Sequence, residues 1–194
     1  MDTHAAIGDA AVVQAIFDEA IAVHRGVRDN LQPLIEAAAA IRSALGQGGK
    51  LLVFGNGGSA ADAQHVAAEL VGRFEREREG MAAIALTTDT SIVTSIANDF
   101  TFDWVFARQV EALGRREDVA LGLSTSGRSA NVLMGIQAAN ARGMKTIALT
   151  GRDGGTIGKA SAIHVNVPHA STARVQEVHR TVLHAICALV ERTR

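Results

Sequence analysis

Two hydrophobic rhythms divide the chain. Across residues 9–47 the apolar positions of "VVQAIFDEAIAVHRGV" and "LIEAAAAIRSAL" recur at helical spacing, which predicts two helices. Pro33 falls in the first turn of the second, where a missing N–H costs nothing, and Gly48 and Gly49 end it. Beyond them the pattern changes to short, nearly continuous apolar runs: "KLLVFG", "MAAIALT", "DVALGLS", "MKTIALTG" and "AIHVNVP". Such runs suit strands buried on both faces. Between them, "SAADAQHVAAELVGRF", "TSIVTSIAND", "FDWVFARQVEALG" and "SANVLMGIQAANARG" return to helical spacing, and "ARVQEVHRTVLHAICALVERT" closes the series as a helix. Ser59 is placed to cap the helix after the first strand. The alternation predicts an α/β fold, a five-stranded parallel sheet covered by helices on both sides. With no linker, low-complexity tract or short-period repeat, residues 1–194 read as one domain, of which 1–48 form a helical N-terminal extension.

Composition removes several function classes. The 194 residues are 47% hydrophobic but only 4% aromatic, so the core must be mainly aliphatic. A net charge of -1 leaves no basic stripe for nucleic acid. The single cysteine, Cys187 in "LHAICALVE", excludes an internal disulfide and reads as a buried helical thiol. The opening "MDTHAAIGDAAVVQ" lacks the basic and apolar regions of a secretory signal, and no apolar run reaches membrane-spanning length. A cytoplasmic protein with neither membrane nor nucleic-acid partner is expected.

Two strand-to-helix loops carry phosphate-binding chemistry. In "GNGGSA" the glycines let backbone N–H groups approach a ligand, and the helix that follows adds partial positive charge. No Lys-Ser or Lys-Thr pair follows, so it is not a Walker loop. Gly55, Gly57 and Ala60 match G-x-G-x-x-A, but the acidic residue of a dinucleotide site is out of register, and an ordinary glycine-rich turn explains the spacing equally well. The second loop, "LSTSGRSAN", crowds Ser124, Thr125, Ser126 and Ser129 between a strand and a helix start. Capping accounts for one or two of these hydroxyls; four favour an anion cradle. A third turn, "TGRDGGTIG", lies on the same sheet edge and reads as a glycine-rich turn.

Acid–base candidates lie on two helices. His65 and Glu69 share a helical face within a few turns of the first loop. Gln176, His179 and His184 interrupt the apolar pattern of the last helix. A lone helical histidine is more often structural, and periodicity cannot show whether the two helices meet. Two His, a Glu and a Gln would suit a zinc-like ion.

With these residues in view, "GNGGSAADAQHVAAELVGRF", "SIANDF", "STSGRSANV", "LTGRDGG" and "RVQEVH…H" resemble the phosphoheptose isomerases of the sugar isomerase (SIS) superfamily, from about Lys50 to the end. The resemblance implies a flavodoxin-like three-layer αβα sandwich, a homotetramer with sites at subunit interfaces, and conversion of sedoheptulose 7-phosphate to D-glycero-D-manno-heptose 7-phosphate. It further implies that Asn56, Gly57, Gly58 and Ser59 form a substrate loop and that Ser124, Thr125, Ser126 and Ser129 cradle the phosphate. Asn98, Asp99, Arg73, Glu69 and Gln176 would also contact substrate. Glu69 and His184 would be base and acid, and one Zn2+ per subunit would be held by His65, Glu69, Gln176 and His184. Gln176 and His184 are separated by roughly 12 Å along an ideal helix, so one ion reaches both only if the helix start is irregular, side chains converge or subunits share the site; otherwise His179 competes. The segment "HASTA" after Pro168 is short for the family. Two rivals are a non-catalytic SIS protein that binds a replication initiator and a sugar-phosphate sensor. Retention of both Glu69 and His184 favours the enzyme.

Overall fold

The five apolar runs form strands β1 (Leu51–Gly55), β2 (Ala83–Ala85), β3 (Val119–Ser124), β4 (Lys145–Gly151) and β5 (Ile163–Val167). They make one parallel sheet in the order β2-β1-β3-β4-β5, with Val53 of β1 opposite Ala85 on one side and Leu121 on the other. The computed structural model describes residues 8–192, so the first seven residues of the expected extension and the last two of the chain lie outside the described residues. Every residue of β1 and β3 is buried, because helices cover both faces, and this is why their sequences lack in–out alternation.

Side chains still alternate between the two faces. Leu51 and Val53 join a core shared with α2 (Gln32–Gly46), α3 (Gly58–Val71) and α8 (Thr172–Glu191). Leu52 and Phe54 enter the opposite core, built with α4 (Thr90–Asp99), α5 (Val105–Leu113), α6 (Ala130–Ala141) and α7 (Gly155–Ala160). Three αβα layers result, as expected. α1 (Asp9–Arg28) lies outside them against α8 and β5 and has no buried residue.

Local departures from the expected elements have local causes. β2 keeps only three residues because it pairs on one side alone, at the sheet edge. Ser59 does not cap α3; Gly57, at φ 54° and ψ -120°, occupies the cap, and Ser59 is buried in the first turn. α3 stops at Val71, where Gly72 takes the cap position, instead of continuing to Phe74. A 3-10 turn, Phe102–Trp104, precedes α5. The "TGRDGGTIG" turn leads into α7, six residues long and too short to display a period.

The chain runs from β1 to the β2 edge, then returns to place β3 on the other flank of β1. The loops following β1 and β3 therefore face each other across the point where strand order reverses, where open α/β sheets bind ligands.

Candidate active site

Both loops at this crossover are pinned by buried polar contacts. Asn56 of the first loop and Asn131 of the second exchange amide hydrogen bonds, at 2.8 Å from Asn56 Nδ2 and 2.9 Å from Asn131 Nδ2. Asn131 is buried and went unnoticed in the sequence, although it stands two residues after Ser129. In the second loop Ser124 Oγ lies 3.3 Å from Ser126 Oγ and 3.0 Å from Ser129 Oγ. Ser129 stands at the cap of α6 without making a side-chain cap bond, so capping does not occupy its hydroxyl. Gly127 adopts φ 66°, and a Cβ there would overlap the Gly154 carbonyl, so the "GRDGG" turn is a platform for the hydroxyl loop. Thr125 and Ser126 are half-buried at its surface.

α3 and α8 run side by side in the same direction and meet rung by rung. At the first rung Gly58 faces Gln176; a Cβ on Gly58 would overlap Gln176 Nε2 and stand 2.9 Å from its Cδ. At the second, Arg180 Nε donates to Asp62 Oδ1 at 2.7 Å, with Nη2 2.5 Å from the same oxygen. At the third, His65 Nε2 lies 2.7 Å from His184 Nε2 and 3.3 Å from Glu69 Oε1. Asp62 and Arg180 share faces with His65 and His184 at helical spacing, the one signal by which the sequence could have revealed them. Phe74 closes the lower end, its ring 5.5 Å from that of His184.

The third rung gathers His65, Glu69 and His184, with one ligand atom from each lying within 4.8 Å of the others. All three are half-buried. Neighbouring ligands of a tetrahedral zinc stand roughly 3.3 Å apart, since each bond is about 2.0–2.1 Å. Two imidazoles and a carboxylate at these separations fit such an ion with a small opening of the His–His contact. Burial lowers the His65 pKa, as do Arg180 and the His184 ring, against the opposing pull of Glu69 and Asp62. A neutral imidazole is the form that binds a cation. α8 is continuous from Thr172, so an irregular start does not bring Gln176 to this rung; its amide sits two turns away, over the first loop.

His179 is not an alternative. It is buried against the sheet, Nε2 3.0 Å from the Thr150 carbonyl, and burial pushes its pKa down to about 4. The Nε2–H tautomer therefore donates to Thr150, and Nδ1 has no partner among the described residues.

Between α1, α3 and α8 a cavity of about 620 Å³ is lined by His24, Gly58, Asp62, Gln176, Arg180 and Thr181, among others. His24 reaches it from α1, with Nε2 2.9 Å from Thr181 Oγ1. Other residues expected in the site stand apart from these rungs. Asn98 and Asp99 are exposed at the end of α4, where Asn98 Nδ2 donates to Asp99 Oδ1 at 2.9 Å, and Asp99 borders a separate cleft with Phe100 and Arg108. Arg73 is exposed just beyond α3.

Comparison with known proteins places this geometry among relatives. A SIS-domain family model matches residues 15–151. A phosphoheptose isomerase of Halorhodospira halophila is 48% identical over 197 residues, spanning 100% of this chain and 96% of the relative. A solved phosphoheptose isomerase from Neisseria gonorrhoeae superposes with a TM-score of 0.87 at 48% identity, covering 92% of this chain and 96% of its own. Another, from Francisella tularensis, gives 0.92 at 37% identity, covering 96% and 100%.

Proposed function

The chain belongs to the SIS-domain family and, within it, to the phosphoheptose isomerases, and from that membership we infer that it converts sedoheptulose 7-phosphate to D-glycero-D-manno-heptose 7-phosphate. The observation that carries this reading is the meeting of His65, Glu69 and His184 on two adjacent helices, of which α3 begins at the sheet crossover. A replication-initiator binder or a sugar-phosphate sensor would have no use for that triad.

The reaction moves a carbonyl from C2 to C1. A base removes a proton from C1, an enediol forms, and a proton returns to C2 while a hydroxyl proton passes between the two oxygens. Glu69 has one carboxylate oxygen turned to His65; its second can take the carbon-bound proton. His184 carries the proton between oxygens. A divalent ion such as Zn2+, held by His65, Glu69 and His184, would supply carbonyl polarisation. The residues fit that ion, and Gln176, on the cavity wall beside Gly58, would meet the sugar in this subunit and join the metal only where subunits share the site. Ser124, Thr125, Ser126 and Ser129 would receive the phosphate with the N–H groups at the start of α6, with Asn56, Gly57, Gly58 and Ser59 along the sugar. Remote phosphate binding then orients the reacting carbons.

Support for an oligomer comes from α1. Val12, Val13, Ile16, Phe17 and Ile21 leave an apolar stripe in water, Phe17 at 64% exposure. Clustered exposed apolar side chains of this kind mark contacts with another protein surface. We assign the stripe to contacts between subunits of a homotetramer, which would also let Asn98, Asp99 and Arg73 reach a neighbour's site. None of the described helices is long and apolar enough to cross a membrane; we place the enzyme in the cytoplasm on its family membership.

The deciding experiment supplies sedoheptulose 7-phosphate and a zinc salt in deuterated water. The aldose should form with deuterium at C2, and Glu69→Gln should lower kcat by about 10²-fold or more. Binding of the sugar phosphate without turnover would overturn the assignment.

A further inference from the structure

The third rung is held from below by two residues outside the reaction just described. After α3 the chain turns through residues 72–80, and Glu191, the last residue of α8, gathers that turn. Its carboxylate accepts the backbone N–H groups of Phe74 at 3.0 Å, Glu75 at 3.0 Å and Arg76 at 3.1 Å, and Arg78 Nε at 2.9 Å. Burial would raise its pKa, but these four donors hold it down at about 2. Arg78 then turns its remaining nitrogens on the end of α3. Nη2 donates to the Glu69 carbonyl at 2.8 Å, and Nη1 to the carbonyls of Leu70 at 2.8 Å, Gly72 at 3.2 Å and Glu79 at 3.0 Å. A helix C-terminus lacks partners for its last carbonyls and carries partial negative charge, so a guanidinium satisfies both deficits. The two side chains are 9% and 2% exposed.

Both reacting groups depend on this arrangement. Glu69 lies in the final turn of α3, the turn most prone to fray, and its own carbonyl is among those Arg78 fastens. Phe74, whose N–H is fixed by Glu191, rests its ring against His184. We propose that Arg78 and Glu191 are positioning residues for the isomerisation, clamping the end of α3 to the end of α8 so that Glu69 and His184 keep their separation. The inference rests on the isomerase reading, but its metal-binding consequence does not.

An ion pair that merely seals the fold would affect stability alone. A positioning clamp makes two further demands. The phosphate cradle lies near the opposite end of α3, so loss of the clamp should slow chemistry without weakening substrate capture. The loosened triad should also hold a cation less well. Arg78→Lys keeps the charge but removes the planar fork; Glu191→Gln keeps the shape but removes the charge. In the full-length chain each should lower kcat about tenfold or more, because a displacement near 1 Å at the reacting groups costs up to 10²-fold. KM should stay within about twofold, and the Zn2+ dissociation constant from calorimetry should rise by roughly 10-fold or more, as for lost supports of metal ligands. Phe74→Leu, which spares the backbone bonds to Glu191, should reproduce part of the kcat loss. If Glu191→Gln does not fold, Arg78→Lys alone decides. Variants that melt earlier but keep kcat and zinc affinity within twofold of the parent would overturn the proposal. Should the parent bind Zn2+ without turning over the sugar, the isomerase reading fails and the zinc constants of the variants still decide the clamp.

Discussion

Consider replacing Gly58 with alanine, a change of one methyl group at the first turn of α3. Gly58 is not among the glycines with positive φ, so its backbone accepts a side chain, and alanine is favoured over glycine in a helix by up to about 1 kcal/mol. The new Cβ, however, would overlap Gln176 Nε2 and stand 2.9 Å from Cδ and 3.1 Å from Oε1. The amide must retreat by roughly 1 Å to regain ordinary van der Waals separation. Moving it off its preferred torsion costs about 0.5–1.5 kcal/mol, which nearly cancels the gain in helix propensity. Net stability should therefore change by less than about 1 kcal/mol, a shift in Tm within about 4 °C for a chain of this size. Activity should not be spared. Gln176 lines the cavity beside the first loop, and its displacement should lower kcat/KM for sedoheptulose 7-phosphate by about 10- to 100-fold. Thermal melting and initial-rate kinetics on the same preparation read both quantities. Parental kcat/KM would refute the assignment of Gln176 to the sugar, and a Tm lowered by more than about 8 °C would show that Gln176 is locked in place.

Asn131→Ala should leave the Asn56 amide without its partner, destabilising the fold by about 1–3 kcal/mol and raising KM, both measurable by urea unfolding and steady-state kinetics. An unchanged KM would mean that the two loops do not need this tie to hold ligand. His179 supplies a pH dependence. Its folded pKa, about 4, lies below the ordinary 6.5, so between these values the unfolded chain binds the extra proton and stability falls as pH falls. The loss across that window is on the order of 3 kcal/mol, and His179→Asn should flatten this part of the stability profile; equal slopes in parent and variant would count against it.

Much of the fold was legible because its causes are local. The five apolar runs of the sheet, the helical spacing of α2, α3, α6 and α8, and the proline in the first turn of α2 depend on neighbours within a turn or a strand. The same holds for the hydroxyl-rich loop, where four side chains within six residues exceed what capping requires. Misread features were those whose cause lies elsewhere. Ser59 looks like a cap until Gly57 takes that position, and α7 is hidden because six residues cannot show a period.

What the amino-acid order determined by itself was the alternation of strand and helix, the placing of a glycine-rich and a hydroxyl-rich loop at strand ends, and which positions hold titratable side chains. Only the tertiary structure decided that α3 and α8 lie side by side in one direction. That choice joins His65 to His184 across 119 residues of chain, seats Gln176 over Gly58 two turns from them, and turns His179 into the sheet. Periodicity states which face of a helix is apolar; the neighbour that each polar side chain meets depends on the rotation and register of packed helices, which the core of the whole sheet sets.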